Sequence, residues 1–152
     1  MEPANQKTND TGFTLIETVL VLFLSSFLIG ALLGGVKQLE RARFEAYLKE
    51  VQTGILSAQQ MATLTGTSYT LYCGSRDIFI LKGGVSFYRF PMSRKVEMLP
   101  DETTLQRGTF NGSSRSCAGS IVLVHRGLKE KATFTIRVAS GKLTLYKEPY
   151  KY

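Results

Sequence analysis

Apolar residues dominate the first part of the chain and recur at regular spacings after it. From Phe13 to Val36 the sequence holds 24 residues and one ionisable side chain, that of Glu17. About 20 apolar residues are enough to cross a bilayer as a helix. The pattern therefore predicts a transmembrane helix over 13–36, preceded by a polar segment over 1–12.

The helical pattern continues past the apolar run. Between 37 and 64, apolar residues recur at spacings of three and four, which places them on one face of an amphipathic helix. These residues are Phe44, Leu48, Val51, Ile55, Ala58 and Ala62. We predict that this face packs on a sheet of the same chain and that the helix ends within Thr63–Gly66.

Short runs rich in β-branched and aromatic residues, separated by turn-forming residues, predict eight strands in 65–152. The predicted strands are Ser68–Cys73, Ile78–Lys82, Val85–Phe90, Lys95–Leu99, Thr104–Phe110, Ser120–His125, Thr133–Val138 and Leu143–Lys147. The predicted class is therefore α+β, with one long N-terminal helix packed on a small antiparallel sheet.

The polar segment 1–12 does not fit a secretory signal peptide, in which the cleavage site follows the apolar core. Here a glycine, Gly12, comes directly before the apolar run, in the order Gly12-Phe13-Thr14-Leu15-Ile16-Glu17. This arrangement resembles the signal of type IV prepilins and pseudopilins. The resemblance implies a pilin-like fold, cleavage after Gly12 by the prepilin peptidase, methylation of the new amine of Phe13, and a role for Glu17 in filament assembly.

The chemistry of Glu17 agrees with that role. A carboxylate inside a membrane segment costs about 2.5 kcal/mol or more, and such residues usually have a partner. Cleavage after Gly12 creates one, the positive amine of Phe13. Four residues span about 6 Å along a helix, so Glu17 can meet the amine of a neighbour shifted by one turn. The alternative is a glutamate that extends its carboxylate to the membrane surface.

The charges around the apolar run conflict with the orientation that the resemblance implies. Four basic residues follow the run and one precedes it: Lys37, Arg41, Arg43 and Lys49 against Lys7. The positive-inside rule places the C-terminal side in the cytoplasm. The prepilin peptidase, in contrast, acts on a cytoplasmic leader. We follow the resemblance and expect a single-pass protein of the cell membrane with an extracytoplasmic β-rich domain, reaching the cell surface in a pilus.

Two cysteines, Cys73 and Cys117, lie beyond the membrane segment. An extracytoplasmic location permits a disulfide between them. Such a bridge closes a loop of about 45 residues and contributes about 3–4 kcal/mol in the chain-entropy model. The alternative is a pair of buried free thiols.

Residues that would indicate an enzyme are missing from the sequence. His125 lies in an apolar strand without a serine or cysteine nucleophile motif beside it. The sequence has no cluster of cysteine and histidine with metal-ligand spacing and no glycine-rich phosphate loop. We therefore predict no catalytic residue, no metal and no cofactor.

The chain is basic, with a formal charge of +7, and rich in tyrosine. Basic charge favours anionic partners such as nucleic acid or lipid headgroups, although scattered lysines and arginines equally fit a solvated surface. Tyrosines beside Arg89, Lys147 and Lys151 can stack on single-stranded DNA, or can simply belong to the sheet. The tyrosines considered are Tyr69, Tyr72, Tyr88, Tyr146, Tyr150 and Tyr152.

Within the family, the motif 12–17 and the helical run Phe44–Ala62 most resemble the ComGD-like minor pilins of the competence pilus. The resemblance implies that major and minor pilins, the prepilin peptidase and membrane lipid are partners, with DNA bound at the pilus tip or only indirectly. Three alternatives stay open: a pseudopilin of type II secretion or a GspH/FimT-like minor pilin, a DNA-binding tip module, and an unprocessed single-pass membrane protein.

Overall fold

A computed structural model gives the fold of residues 14–112, 117–137 and 140–151. In these ranges one long helix, α1 (Leu15–Thr65), precedes eight strands. The strands form small antiparallel sheets on which the helix packs, so the predicted α+β class is confirmed. Contacts divide the chain into two units, Met1–Leu39 and Glu40–Tyr152, which are described separately.

The part of α1 from Leu15 to Leu39, here called the anchor segment, presents exposed apolar side chains. Its most apolar window of 18 residues has a mean hydropathy of 2.5. The helix is thus long and apolar enough to span a membrane, as the sequence predicts.

In the second unit, from here on the globular unit, α1 buries one face. The six residues of the predicted stripe, Phe44 through Ala62, are all buried. The helix ends at Thr65, because Gly66 adopts a left-handed φ of +66° while its N–H still donates to the carbonyl of Ala62 at 3.0 Å. Glycine reaches that conformation without steric cost and commonly terminates helices.

The eight strands are divided between two four-stranded antiparallel sheets, where the sequence predicts one. Sheet 1 has the order β3-β2-β1-β5, and sheet 2 has the order β4-β6-β7-β8. The strands are β1 Tyr69–Cys73, β2 Asp77–Lys82, β3 Val85–Pro91, β4 Val96–Met98, β5 Arg107–Phe110, β6 Gly119–His125, β7 Glu130–Ile136 and β8 Leu143–Pro149.

Two strands begin three residues away from their predicted first residues, and each shift has a physical reason. The predicted strand from Thr104 begins only at Arg107, because the N–H groups of Thr104 and Leu105 both donate to the carbonyl of Ser120, in sheet 2, at 2.9 and 3.1 Å. Strand β7 begins three residues before the predicted Thr133, because the charged residues Glu130 and Lys131 already pair with the end of β6.

Both sheets contribute alternate residues to a single core under the buried face of α1. Leu71, Ile78 and Ile80 come from sheet 1, and Ile121, Leu123 and Phe134 come from sheet 2. One contact requires a glycine in the helix interior, because a Cβ at Gly54 would lie 2.3 Å from Cζ of the buried Phe90 ring. The missing side chain lets β3 approach the helix.

Candidate functional site

Two of the predicted processing residues, Gly12 and Phe13, lie outside the described residues. Cleavage after Gly12 and methylation of Phe13 therefore stay predictions. The described chain begins two residues after the predicted cleavage site, at Thr14, which precedes the first turn of α1.

Glu17 occupies the first turn of α1, where its carboxylate closes a capping box with Thr14. Oε2 of Glu17 accepts hydrogen bonds from the backbone N–H and the hydroxyl of Thr14, at 2.9 and 3.1 Å. In return, the Thr14 hydroxyl accepts a bond from the Glu17 N–H at 3.4 Å. A threonine followed three residues later by a glutamate is the sequence signature of this motif. Thr14 was not among the predicted site residues, although this signature could have identified it.

The capping box uses one carboxylate oxygen of Glu17. Its other oxygen, Oε1, accepts no hydrogen bond from a described residue. A carboxylate has about four acceptor positions, so a bond to Oε2 leaves Oε1 available for a further donor. The capping box therefore fixes the Glu17 carboxylate at the start of the anchor segment. It leaves Oε1 without a hydrogen-bond donor among the described residues.

The two cysteines are free thiols in the structure, with Cys73 buried and Cys117 half-buried. Burial raises the pKa of Cys73 to about 12, with a further contribution from the charge of Cys117, which places the two thiols within electrostatic reach. Burial likewise raises the pKa of Cys117 to about 11. Both thiols are therefore protonated at neutral pH, and the disulfide stays a prediction.

A glycine makes room for the Cys117 side chain on sheet 1. Cβ and Sγ of Cys117 would each lie 2.4 Å from a Cβ added at Gly108. Gly108 pairs with Leu71 in β1, two residues before Cys73 on the same buried face of that strand. The fold thus brings the two cysteines to neighbouring positions on sheet 1 although 43 residues separate them in the sequence.

On the solvent face of sheet 1, four side chains form a row across all four strands. The ladder pairs Arg107 with Tyr72, Tyr72 with Phe79, and Phe79 with Arg89. The Tyr72 and Phe79 rings lie 6.3 Å apart, and the Arg89 guanidinium lies 5.6 Å from the centre of the Phe79 ring. This cross-strand row places two aromatic rings between two cations, while Asp77 pairs with Arg89 at one end.

The remaining tyrosines are dispersed. Tyr69 is buried in the core, Tyr88 lies exposed on β3, and Tyr146 lies exposed on β8 of sheet 2. Tyr152 falls outside the described residues, and Lys147 pairs with Glu45 of α1 at 2.9 Å. Of the predicted tyrosine and basic neighbours, only the pair of Tyr72 and Arg89 enters the cross-strand row.

His125 ends β6 and is buried, as expected for a strand histidine. Its ring packs edge-on against Phe44, with the ring centres 5.1 Å apart. Burial lowers the pKa of His125, partly offset by the negative charge of Glu40. The imidazole is therefore neutral at neutral pH.

In the described ranges, no three side chains of histidine, cysteine, aspartate or glutamate are grouped so that they could hold a metal ion. The sites that the structure brings together are thus the capped Glu17, the cysteine pair and the cross-strand row. Comparison of the chain with protein-family models, with curated proteins and with solved structures found no match.

Proposed function

We propose that this protein is a minor pilin-like subunit of a competence pilus, assembled after its leader is cut behind Gly12. The observation that carries the proposal is the division of α1. Its first part exposes apolar side chains around a single carboxylate, Glu17, while its second part is buried on two sheets. A lone membrane carboxylate usually has a partner and a function.

The proposed partner of Glu17 is the amine of Phe13 in a neighbouring subunit. The capping box holds the carboxylate at the helix start, and Oε1 is available to accept the amine. Charge-assisted hydrogen bonds are about twice as strong as neutral ones, and in a water-free surrounding an unpaired charge is costly. The contact would favour one axial shift between subunits over others and thereby set the register of a filament.

The mass of the mature protein tests the processing step. In cells with an active prepilin peptidase, we expect the purified chain to begin at Phe13 and to be heavier by one methyl group at its amine. A variant with Gly12→Val is the matched control and should keep residues 1–12. A wild-type chain that retains its leader in such cells would contradict the proposal and favour an unprocessed single-pass membrane protein.

The competence assignment is tested by the phenotype of a deletion. We expect loss of DNA uptake, whereas a type II secretion pseudopilin would instead abolish secretion of an exported protein. The assignment comes from the resemblance of the motif and the helical run.

A second candidate function, binding of single-stranded DNA, is favoured by the cross-strand row. Aromatic rings on an exposed sheet stack bases, and a flanking arginine attracts phosphate. Arg107 can take that role, since Arg89 at the other end of the row is paired with Asp77. Tyr72 is 46% exposed and stands between Arg107 and Phe79 on the open face of sheet 1. The row is four residues wide and holds two aromatic rings, Tyr72 and Phe79. It therefore suits one or two bases stacked on these rings rather than a duplex.

Fluorescence anisotropy with a labelled oligonucleotide and the full chain in detergent tests this second candidate. We expect Tyr72→Ala to weaken binding about 5- to 150-fold, because stacking contributes about 1–3 kcal/mol per base. Tyr146→Ala is the control, since Tyr146 is similarly exposed, at 52%, on the other sheet. Equal losses in both variants, or no binding by the wild type at low salt, would exclude the row as the binding surface.

A further inference from the structure

A cleft of about 350 Å³ lies in the globular unit at the end where the chain arrives from the anchor segment. Its walls come from the first turns of the unit's part of α1, from the connection between β3 and β4, and from the end of β6. The ionisable residues of this basic cleft are Glu40, Arg43, Tyr47, Arg94, Lys95 and His125.

The basic cleft has an excess of positive charge. Lys95 forms an ion pair with Glu40, and the hydrogen bond from Lys95 lowers the pKa of the Glu40 carboxyl. Arg43 and Arg94 are exposed and form no ion pair with a described residue. Two cations are therefore left uncompensated at the rim.

His125 adds a hydrogen-bond donor to the wall of the cleft. It is 4% exposed, and its Nδ1 accepts a bond from the Leu128 N–H at 3.1 Å. In a neutral ring the hydrogen then resides on Nε2, which makes no hydrogen bond to another described residue. An anion bound in the cleft can therefore accept a hydrogen bond from Nε2.

A second cleft on the same unit has no such excess of charge. Its charged lining consists of three cations and three carboxylates: Arg41, Lys129, Lys147, Glu45, Glu130 and Glu148. Two of these cations form ion pairs within the cleft, Arg41 with Glu130 and Lys147 with Glu45. The charged lining of this second cleft is therefore neutral in sum.

The chain itself limits how far the basic cleft can lie from a membrane. Arg43 comes seven residues after Val36, the last residue of the predicted span. Seven residues cover at most about 25 Å even when fully extended. The cleft consequently remains near a layer of lipid headgroups, and basic residues beside a membrane attract anionic lipids.

We propose that the basic cleft binds the phosphodiester of an anionic phospholipid in the membrane that the anchor segment spans. Arg43 and Arg94 contact the phosphate oxygens, and His125 donates from Nε2. Phe44 and Val96 supply an apolar wall beside them. The proposal goes beyond filament assembly and does not depend on leader cleavage, so either can fail without the other.

The single histidine of the chain provides a direct probe, because the Cε1–H group of its imidazole gives one proton–carbon resonance. The full chain in a zwitterionic detergent is titrated with a short-chain phosphatidylglycerol while this resonance is recorded by NMR. We expect a saturable shift. Phosphatidylcholine with the same acyl chains should produce none, and inorganic phosphate should bind at least about tenfold more weakly, since it lacks the glycerol and acyl contacts.

Matched arginine variants locate the binding site. Arg43→Gln and Arg94→Gln should each weaken phosphatidylglycerol binding about tenfold, as expected for loss of one hydrogen bond to a charged group. Arg41→Gln, on the same helix, should have little effect because that guanidinium is paired with Glu130. All three replacements are at exposed positions, and an unchanged histidine resonance without lipid will confirm that each variant is folded.

Several results would overturn the proposal. A response to phosphatidylcholine equal to that for phosphatidylglycerol would show that the headgroup charge is irrelevant. Equal affinity for inorganic phosphate would reduce the cleft to a simple anion site. Tighter binding of a single-stranded oligonucleotide at the same resonance would assign the cleft to nucleic acid, and equal losses in the Arg41 and Arg43 variants would move the site elsewhere.

Discussion

Replacing Glu17 by valine is expected to leave the protein in the membrane and to abolish its incorporation into pili. Removing a carboxylate from the anchor segment makes insertion more favourable, because the charge itself is costly there. In the filament, the same change would leave the amine of a neighbouring Phe13 without its counter-charge. Breaking one side of a buried ion pair costs about 3–5 kcal/mol, so the incorporated fraction should fall roughly 100-fold or more.

The capping box makes a sharper version of this experiment possible. Glutamine suits the third helical position of a capping box as glutamate does, so Glu17→Gln keeps the hydrogen bonds to Thr14 and removes only the charge. Thr14→Ala has the converse effect. We expect Glu17→Gln to be as defective as Glu17→Val, and Thr14→Ala to assemble normally.

Immunoblots of the sheared pilus fraction, with the membrane fraction as loading control, measure these outcomes. If Glu17→Gln assembled normally while Thr14→Ala did not, the role of the residue would be to cap the helix rather than to contact a neighbour. Normal incorporation of Glu17→Val would remove the proposed mechanism altogether.

Replacing Leu48 by alanine is expected to cause a large loss of stability in the globular unit. Leu48 is 1% exposed in the face that contacts the sheets. Leucine-to-alanine exchanges in cores cost about 2–5 kcal/mol, because they remove apolar contacts and leave a cavity. For a unit of this size, that loss corresponds to a decrease of about 10–20 °C in Tm.

Leu56 provides the matched control, since it lies on the same helix but is 38% exposed. Leu56→Ala makes the same change in helix propensity without opening a core cavity, so its Tm should stay within a few degrees of the wild type. Thermal unfolding of the full chain in detergent, followed by circular dichroism, compares the two. Equal decreases in Tm would mean that the buried face of α1 does not stabilise the globular unit.

The buried face of α1 could be predicted because it depends on local spacing alone. Residues such as Phe44 and Leu48 repeat with the period of a helix, and the structure buries all six. The eight strands could be predicted for the same reason, since each run of strand-forming residues is bounded in the sequence by its own turn residues. The glycines at 83 and 84 illustrate this, because both have positive φ in the turn between β2 and β3, as two-residue hairpins require.

Features that depend on pairs distant in sequence could not be predicted. The division into two sheets follows from which strands pair, and no local pattern specifies that β4 pairs with β6. The sequence around Gly54 in α1 does not indicate that Phe90 packs against it. The basic cleft likewise needs three separate segments, so scattered arginines gave only a general expectation of anionic partners. The capping box of Glu17 is the exception, since its partner is only three residues away.

The division of strands between the sheets has a consequence for how the globular unit folds. The chain completes β1, β2 and β3 in sheet 1, places β4 in sheet 2, returns to sheet 1 with β5 and finishes in sheet 2. During folding, sheet 1 is therefore complete only after β5 has joined it, and β4 has no partner strand until β6 has been reached. The crossing of β4 and β5 between the sheets, together with the core that both sheets share, favours unfolding in one cooperative transition. A chain interrupted before β6 would leave β4 without its partner strand, and an unpaired strand edge is prone to aggregation.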